Sequence, residues 1–182
     1  MKLLGSTVRR LASLQLFLLL GSPFSLSATY QVLYSFTGGV DGGGLYSSVT
    51  LDKGNLYGVA QGDGPNGYGT VFKLTPGHNG KWAMKVLYGF GKGGNGSLPM
   101  GGVVLDSFLD IYGATWQGGA HNAGAVYRLT PNPWNEDVLY SFGDNPDDGG
   151  SPVGGVVMDS TGNLYGTTSR GGPTAAGERS IS

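Results

Sequence analysis

One seven-residue word constrains the fold of this chain more than any other feature. Gly54-Asn55-Leu56-Tyr57-Gly58-Val59-Ala60 returns loosely as Leu109-Asp110-Ile111-Tyr112-Gly113-Ala114-Thr115. It returns again as Gly162-Asn163-Leu164-Tyr165-Gly166-Thr167-Thr168, with the tyrosines 55 and then 53 residues apart. Three further words keep step. Val32-Leu33-Tyr34-Ser35-Phe36 recurs at 86–90 and 138–142, and Val49-Thr50-Leu51-Asp52 recurs at 103–106 and 156–159. Val71-Phe72-Lys73-Leu74-Thr75-Pro76 recurs once, at 126–131. Every spacing is 52 to 55 residues, within the range of propeller blades.

Each word is a short run of β-branched and aromatic residues bounded by Gly, Pro, Asn or Asp, which is how a strand reads. One unit therefore holds four strands. Strand one is predicted at 47–52, 101–106 and 153–158, and strand two at 55–60, 110–115 and 163–168. Strand three is predicted at 69–75 and 124–130, and strand four at 82–90 and 134–142, with 30–36 as an extra copy. Asp52-Lys53-Gly54-Asn55 and Asp159-Ser160-Thr161-Gly162-Asn163 read as tight turns, where glycine takes positive φ and aspartate bonds its own backbone. Prolines after strand three stop it, because they cannot donate to a ladder. In strand four, Trp82, Met84, Val86, Tyr88 and Phe90 alternate onto one face, while Leu87 and Leu139 make the other face apolar too. Stacked sheets need both faces covered. Gly58, Gly113 and Gly166 lie inside strand two and mark a bulge or a close approach of another backbone.

The expected fold is all-β: a β-propeller-like array of four-stranded antiparallel meander blades in an incomplete ring. The ring is incomplete because the chain holds two full units, a spare fourth strand and half a unit, whereas propellers have four to eight blades. Three four-stranded units also suit a β-trefoil, the alternative. Glycine is 36 of 182 residues, against about 7% in ordinary proteins. With a period present, this glycine-rich composition reads as turns and close packing. No long segment has helical periodicity outside the N-terminus.

Residues 1–28 read as a signal peptide. Lys2, Arg9 and Arg10 precede an apolar run from Leu11 to Leu20, and small residues follow at Ser25, Ser27 and Ala28. That run is too short for a stable membrane span, which takes roughly 20 residues. Cleavage is expected after Ser27 or Ala28, leaving a secreted or cell-envelope protein, extracellular or periplasmic. It removes three of the 11 basic residues and none of the 12 acidic ones, for a net charge of −4. Scattered cations on a net acidic chain do not make the basic stripe of a nucleic-acid binder, so no nucleic-acid partner is expected. The chain has no cysteine, which excludes disulfides and a lipid-modified N-terminal cysteine.

No residue earns a catalytic or cofactor-binding role. Gly62 to Gly67 and Gly91 to Gly96 match G-x-G-x-x-G, yet neither joins a strand to a helix. Gly80-Lys81 lacks the rest of a phosphate loop, His78 and His121 sit in loops without metal-ligand spacing, and no Gly-x-Ser-x-Gly elbow exists. Asn95-Gly96-Ser97 matches an N-glycosylation acceptor. The loop 144–150 is acidic, and Asp144, Asp147 and Asp148 are Ca²⁺ candidates because calcium takes six to eight oxygens. The matching loops hold Asp41-Gly42 and Asn95-Gly96, so Asx-turn chemistry explains the position as well. Adjacent Asp147 and Asp148 point apart on an extended chain and do not suit paired-carboxylate glycoside cleavage. Trp82 and Trp134 lie in strands and read as packing residues. Trp116, beside a Gly-rich loop, is the candidate for stacking on a sugar.

The words VLYSF at 138–142, GGVVMDSTGNLYGTTSRGG at 154–172 and GTVFKLTP at 69–76 resemble the GloVer tandem-repeat family, which includes choice-of-anchor tandem-repeat proteins. The resemblance covers nearly all of residues 30–172. It implies an exported β-propeller-like repeat protein, often with a C-terminal sorting or anchoring signal, and carries no catalytic residues. The repeat region is taken as 29–172, with repeats at about 30–83, 84–135 and 136–172.

Residues 173–182 are irregular. Gly177-Glu178-Arg179-Ser180-Ile181-Ser182 stands where strand three should open. One codon choice, GGG GAG CGG TCT ATA AGC, read two bases on gives Gly-Ala-Val-Tyr-Lys, the expected opening in register. A frameshift in a longer repeat gene is therefore expected, and a truncated array should self-associate through unfinished sheet edges. The functional expectation is a non-enzymatic exported protein with a binding or structural role toward an extracellular ligand, of which polysaccharide is one class. The alternative is a polysaccharide-active enzyme on a propeller scaffold.

Overall fold

A computed structural model describes residues 30–91, 95–145 and 147–171, and the backbone of 2–6. The apolar run and cleavage region of the leader, and the tail 173–182, lie outside these residues. All regular structure described is β, apart from a 3-10 turn at His78–Gly80. The strands are β1 (Lys2–Ser6), β2 (Tyr30–Ser35), β3 (Thr50–Asp52), β4 (Asn55–Ala60), β5 (Thr70–Pro76), β6 (Trp82–Gly89), β7 (Gly96–Leu105), β8 (Ile111–Gly118), β9 (Ala125–Thr130) and β10 (Asn135–Ser141). Four two-residue strands complete the order: β11 (Gly149–Gly150), β12 (Val157–Met158), β13 (Leu164–Tyr165) and β14 (Arg170–Gly171).

Two antiparallel meanders of four strands carry the fold, β3-β4-β5-β6 and β7-β8-β9-β10. Their registers coincide. Gly58 lies opposite Phe72 in the first and Gly113 opposite Tyr127 in the second. This explains the glycine inside strand two. A Cβ at Gly58 would stand 2.7 Å from Cζ of Phe72, and one at Gly113 would strike the Tyr127 hydroxyl. What approaches is the ring of the neighbouring strand, lying across its glycine partner, and not another backbone.

Strand four differs from its expected single-face alternation. One extra residue interrupts the pairing of β6 with β5 between Tyr88 and Val86, and of β10 with β9 between Tyr140 and Val138. A bulge reverses the facing of every residue beyond it in the strand. Trp82 and Met84 therefore pack with Phe72 and Leu74, whereas Tyr88 and Phe90 pack on the opposite layer with Tyr127 and Leu129.

Period-two alternation fills both faces of each sheet. Leu56, Ala60, Phe72 and Leu74 face one layer with Phe36 and Leu45. Tyr57, Val59 and Val71 face the next, where they meet Val103, Ile111, Tyr127 and Leu129 of the second sheet. The far face of that sheet buries Ala114 and Val126 against Phe142 and Val156. Each Val, Leu, Ile or Phe among them, fully buried, contributes about 1.5–3 kcal/mol. The LYxF words join the layers: Phe36 packs edge-on against Phe72 at 4.8 Å and Phe90 against Tyr127 at 5.1 Å.

After β10 the third unit is slight. β12 pairs with β13 and β11 with β14. The predicted strand at 153–158 shrinks to its last two residues and the one at 163–168 to Leu164–Tyr165, next to their shared turn, and strand 30–36 pairs with β1.

Candidate functional site

An antiparallel meander sorts its connections by end. The one-to-two and three-to-four turns lie at one end of each sheet. The longer two-to-three and four-to-one loops lie at the other. Those loops interlock through backbone pairs: Gly43 and Gly62 exchange hydrogen bonds of 2.9 and 3.0 Å, and Gly119 N–H donates to Asn95 C=O at 2.9 Å. Trp116, near the end of β8, and the acidic loop 144–148 share this end. Trp116 is half-buried. His121 lies 3.5 Å from Asp144, an exposed contact, worth little in water. His78 sits at the opposite end, in the β5–β6 turn.

The carboxylates in the loops and strands hold the chain together. Asp41 accepts from Tyr34 Oη at 3.2 Å, Thr37 N–H at 2.9 Å, Thr37 Oγ1 at 2.7 Å and Gly39 N–H at 3.2 Å. Burial alone would raise its carboxyl, but the donors from Thr37, Gly39 and Tyr34 prevail and hold it at about 2. Asp148 does the same in the third copy, accepting from Tyr140 Oη at 2.9 Å and from the amides of Gly143 and Gly149 at 2.7 and 2.8 Å. Here too burial is outweighed and the carboxyl is lowered. The second copy has Asn95 at that position, and Glu136 of β10 supplies the carboxylate. It accepts from Tyr88 Oη at 2.8 Å and Gly96 N–H at 2.9 Å. Burial raises Glu136, and burial with the facing carboxylate pushes Tyr88 up to about 12.

A second latch closes the strand-one turns. Asp106 Oδ1 accepts from Phe108 and Asp110 N–H at 2.9 and 3.0 Å, and Oδ2 takes Tyr112 Oη at 3.1 Å. Asp159 repeats it with Thr161 and Asn163 N–H at 2.9 Å and Tyr165 Oη at 3.0 Å. The first unit's turn is one residue shorter, with Lys53 and Gly54 at φ 46° and 81°. There Tyr57 is buried and takes Lys73 over its ring at 5.5 Å.

The three calcium candidates are therefore not brought together as ligands. Asp148 is enclosed by its own loop's donors, Asp144 faces His121, and Asp147 N–H donates to Asn145 Oδ1 at 3.0 Å. Among the described residues no three His, Cys, Asp or Glu side chains converge on a common point. Ser97 of the Asn95-Gly96-Ser97 sequon is buried at the start of β7. Glu136 and the tyrosine latches were missed from sequence. A signal existed: Asp106 and Asp159 each precede a tyrosine by six residues, and Tyr34, Tyr88 and Tyr140 precede Asp41, Asn95 and Asp148 by seven or eight.

A cavity of 440 Å³ lies where the first strands of all three units meet. Ser48 and Thr50 line it from the first unit, Gly102 to Val104 from the second, and Gly155 to Met158 from the third. Thr50 Oγ1 donates to Val103 C=O across it. Its walls are aliphatic and hydroxylic, with no ionisable group.

Among the described residues no helix is long and apolar enough to cross a membrane. None of the curated proteins and none of the solved structures compared matches the sequence. The sequence model of the Gloeobacter/Verrucomicrobia repeat matches residues 20–178. With that match spanning most of its length, the chain belongs to the Gloeobacter/Verrucomicrobia repeat family.

Proposed function

We propose that the protein is exported and acts outside the cell membrane as a non-enzymatic binding or structural module on a propeller-like array. The array reading is supported by the equivalent first strands of three units, which flank one cavity as the inner strands of blades flank a channel. Both faces of each four-stranded sheet are covered by neighbouring layers, as stacked blades require. Export is supported by the order of basic, apolar and small residues in 1–28.

One observation carries the non-enzymatic reading. The acids Asp41, Asp106, Glu136, Asp148 and Asp159 each accept a tyrosine hydroxyl together with backbone amides. Carboxylates engaged in this way hold turns in place. Binding then falls to the Gly-rich loop end, where Trp116 offers an aromatic edge and polysaccharide is a suitable ligand class. The test is expression with a C-terminal tag, fractionation, and N-terminal sequencing of the exported form, followed by a glycan array and a hydrolysis assay on any glycan bound. A chain beginning near residue 28 or 29, with binding and no turnover, is expected. Retention in the cytoplasm or turnover of a bound glycan overturns the reading.

A further inference from the structure

The two copies of strand four inside the sheets share one way of pairing with strand three. Gly89 lies opposite Thr70, Val86 opposite Phe72, Lys85 opposite Lys73 and Met84 opposite Leu74. Ser141, Val138, Asp137 and Glu136 repeat this against Ala125, Tyr127, Arg128 and Leu129. In both, the single extra residue sits in strand four, Leu87 between Val86 and Tyr88 and Leu139 between Val138 and Tyr140. β2 is the third copy of strand four, and it belongs to neither sheet. Its partner is β1, and the register is the same: Ser35 opposite Lys2, Val32 opposite Leu4, Gln31 opposite Gly5 and Tyr30 opposite Ser6. The irregularity falls in the same place, with one more residue on β2 than on β1 between the first two pairs. Residues 2–6 thus occupy, pair for pair, the place of a third strand.

We propose that β2 is the outer strand of a blade whose third strand comes from a further copy of the repeat, and that residues 2–6 hold that place until the leader is removed. The proposal rests on reading residues 1–28 as a cleaved leader. The partner is an extended segment of the type Val-aromatic-basic-Leu-Thr, as in Val71-Phe72-Lys73-Leu74-Thr75 and Val126-Tyr127-Arg128-Leu129-Thr130. β1 is a weak occupant, because its Gly5 stands where those segments have Lys73 and Arg128, and glycine disfavours a strand interior. A folded second copy of the chain has no such segment to give, since β5 and β9 are each paired on both edges. Residues 172–182 carry no such word. Loss of residues 2–6 leaves an open edge on β2, which pairs by β-strand addition with main-chain hydrogen bonds and alternate side-chain pockets.

The experiment uses the full chain with a specific protease site placed after Ala28, and a fluorescent peptide of residues 69–76 followed by anisotropy before and after cutting. Binding at least tenfold tighter after cutting is expected, with a scrambled peptide inert. Two peptides carry N-methyl groups on alternate amides, Val71 and Lys73 in one, Phe72 and Leu74 in the other. One should lose binding at least tenfold and the other keep it, since only one set of amides faces the β2 edge. An uncut chain with Leu4→Pro and Gly5→Pro, neighbours whose amides point to opposite edges so that one of them must face β2, should also bind the peptide. It serves if the cut chain loses its strand signal in circular dichroism. Equal affinity before and after cutting, equal loss or retention in both methylated peptides, or dimers of the cut chain that the peptide cannot dissociate would each overturn the proposal. If the leader proves to be retained in cells while the cut chain still binds the peptide, the export reading falls and the strand pairing stands.

Discussion

At the scale of the residue, one buried position distinguishes the two sheets by a single oxygen. Phe72 and Tyr127 occupy equivalent positions, each lying across its glycine partner with no exposed surface. The Phe72 ring needs no hydrogen bond. The Tyr127 hydroxyl needs one and finds none among the described residues, and burial pushes its phenol up. An orphaned buried hydroxyl costs about 1–3 kcal/mol, and removing it without changing the ring's shape recovers much of that. Tyr127→Phe is therefore expected to stabilise the protein by about 1 kcal/mol, read as a higher urea midpoint at unchanged m-value. A loss of stability would mean that the hydroxyl has a partner after all. The sequence made the strand glycines legible as points of close approach. It could not name the approaching group, because a cross-strand neighbour is fixed by register and not by distance along the chain.

At the scale of the element, each repeat is held by carboxylates that close its loops. These latches have opposite signs in acid. Asp41 has an ordinary value of 3.8 and is held at about 2 in the fold, where Thr37, Gly39 and Tyr34 donate to it against the pull of burial. As pH falls, the unfolded chain takes up this proton before the folded one does. The stability from Asp41 is thus complete above about pH 4 and is lost between there and about pH 2. Glu136 is raised by burial, so its contribution runs the other way and weakens as pH rises through its folded value. Asp41→Asn should cost about 1–3 kcal/mol at pH 6, where charge-assisted bonds are lost. The gap between variant and parent should then close as the pH approaches 2. Chemical denaturation at several pH values measures it, and a gap constant with pH would show that the carboxylate's charge is not what holds the loop. Strands were legible from their β-branched words, and the turns from their Asp and Gly. The bulge at Leu87 and Leu139 was not, because an extra residue in a run of apolar residues leaves no mark in composition.

At the scale of the whole molecule, the period foretold repeated four-stranded antiparallel sheets, and β3 to β10 form two of them. It did not foretell how successive copies join. That depends on Phe36 and Phe90 crossing to the next layer once the bulge has reversed their facing, and on strand one of every unit turning toward a shared cavity. The candidate site was legible only as a place: Trp116 and the acidic loop do share one end of the sheets, but Asp148 is committed to its own loop and Asp144 faces His121. The convergence of first strands is the feature on which any ring-like arrangement depends, and it can be trapped covalently. A Cβ at Gly102 would stand 3.1 Å from Oγ of Ser48, and Gly102 does not take positive φ. That approach suits a disulfide, and the chain has no cysteine to compete. Ser48→Cys with Gly102→Cys should therefore cross-link within one chain under mild oxidation. The product should run faster on a non-reducing gel, and the link should raise stability by about 2–4 kcal/mol by closing a long loop. Two thiols that both react with maleimide yet never join would separate the first strands of units one and two, and with them the cavity and every arrangement of blades around it.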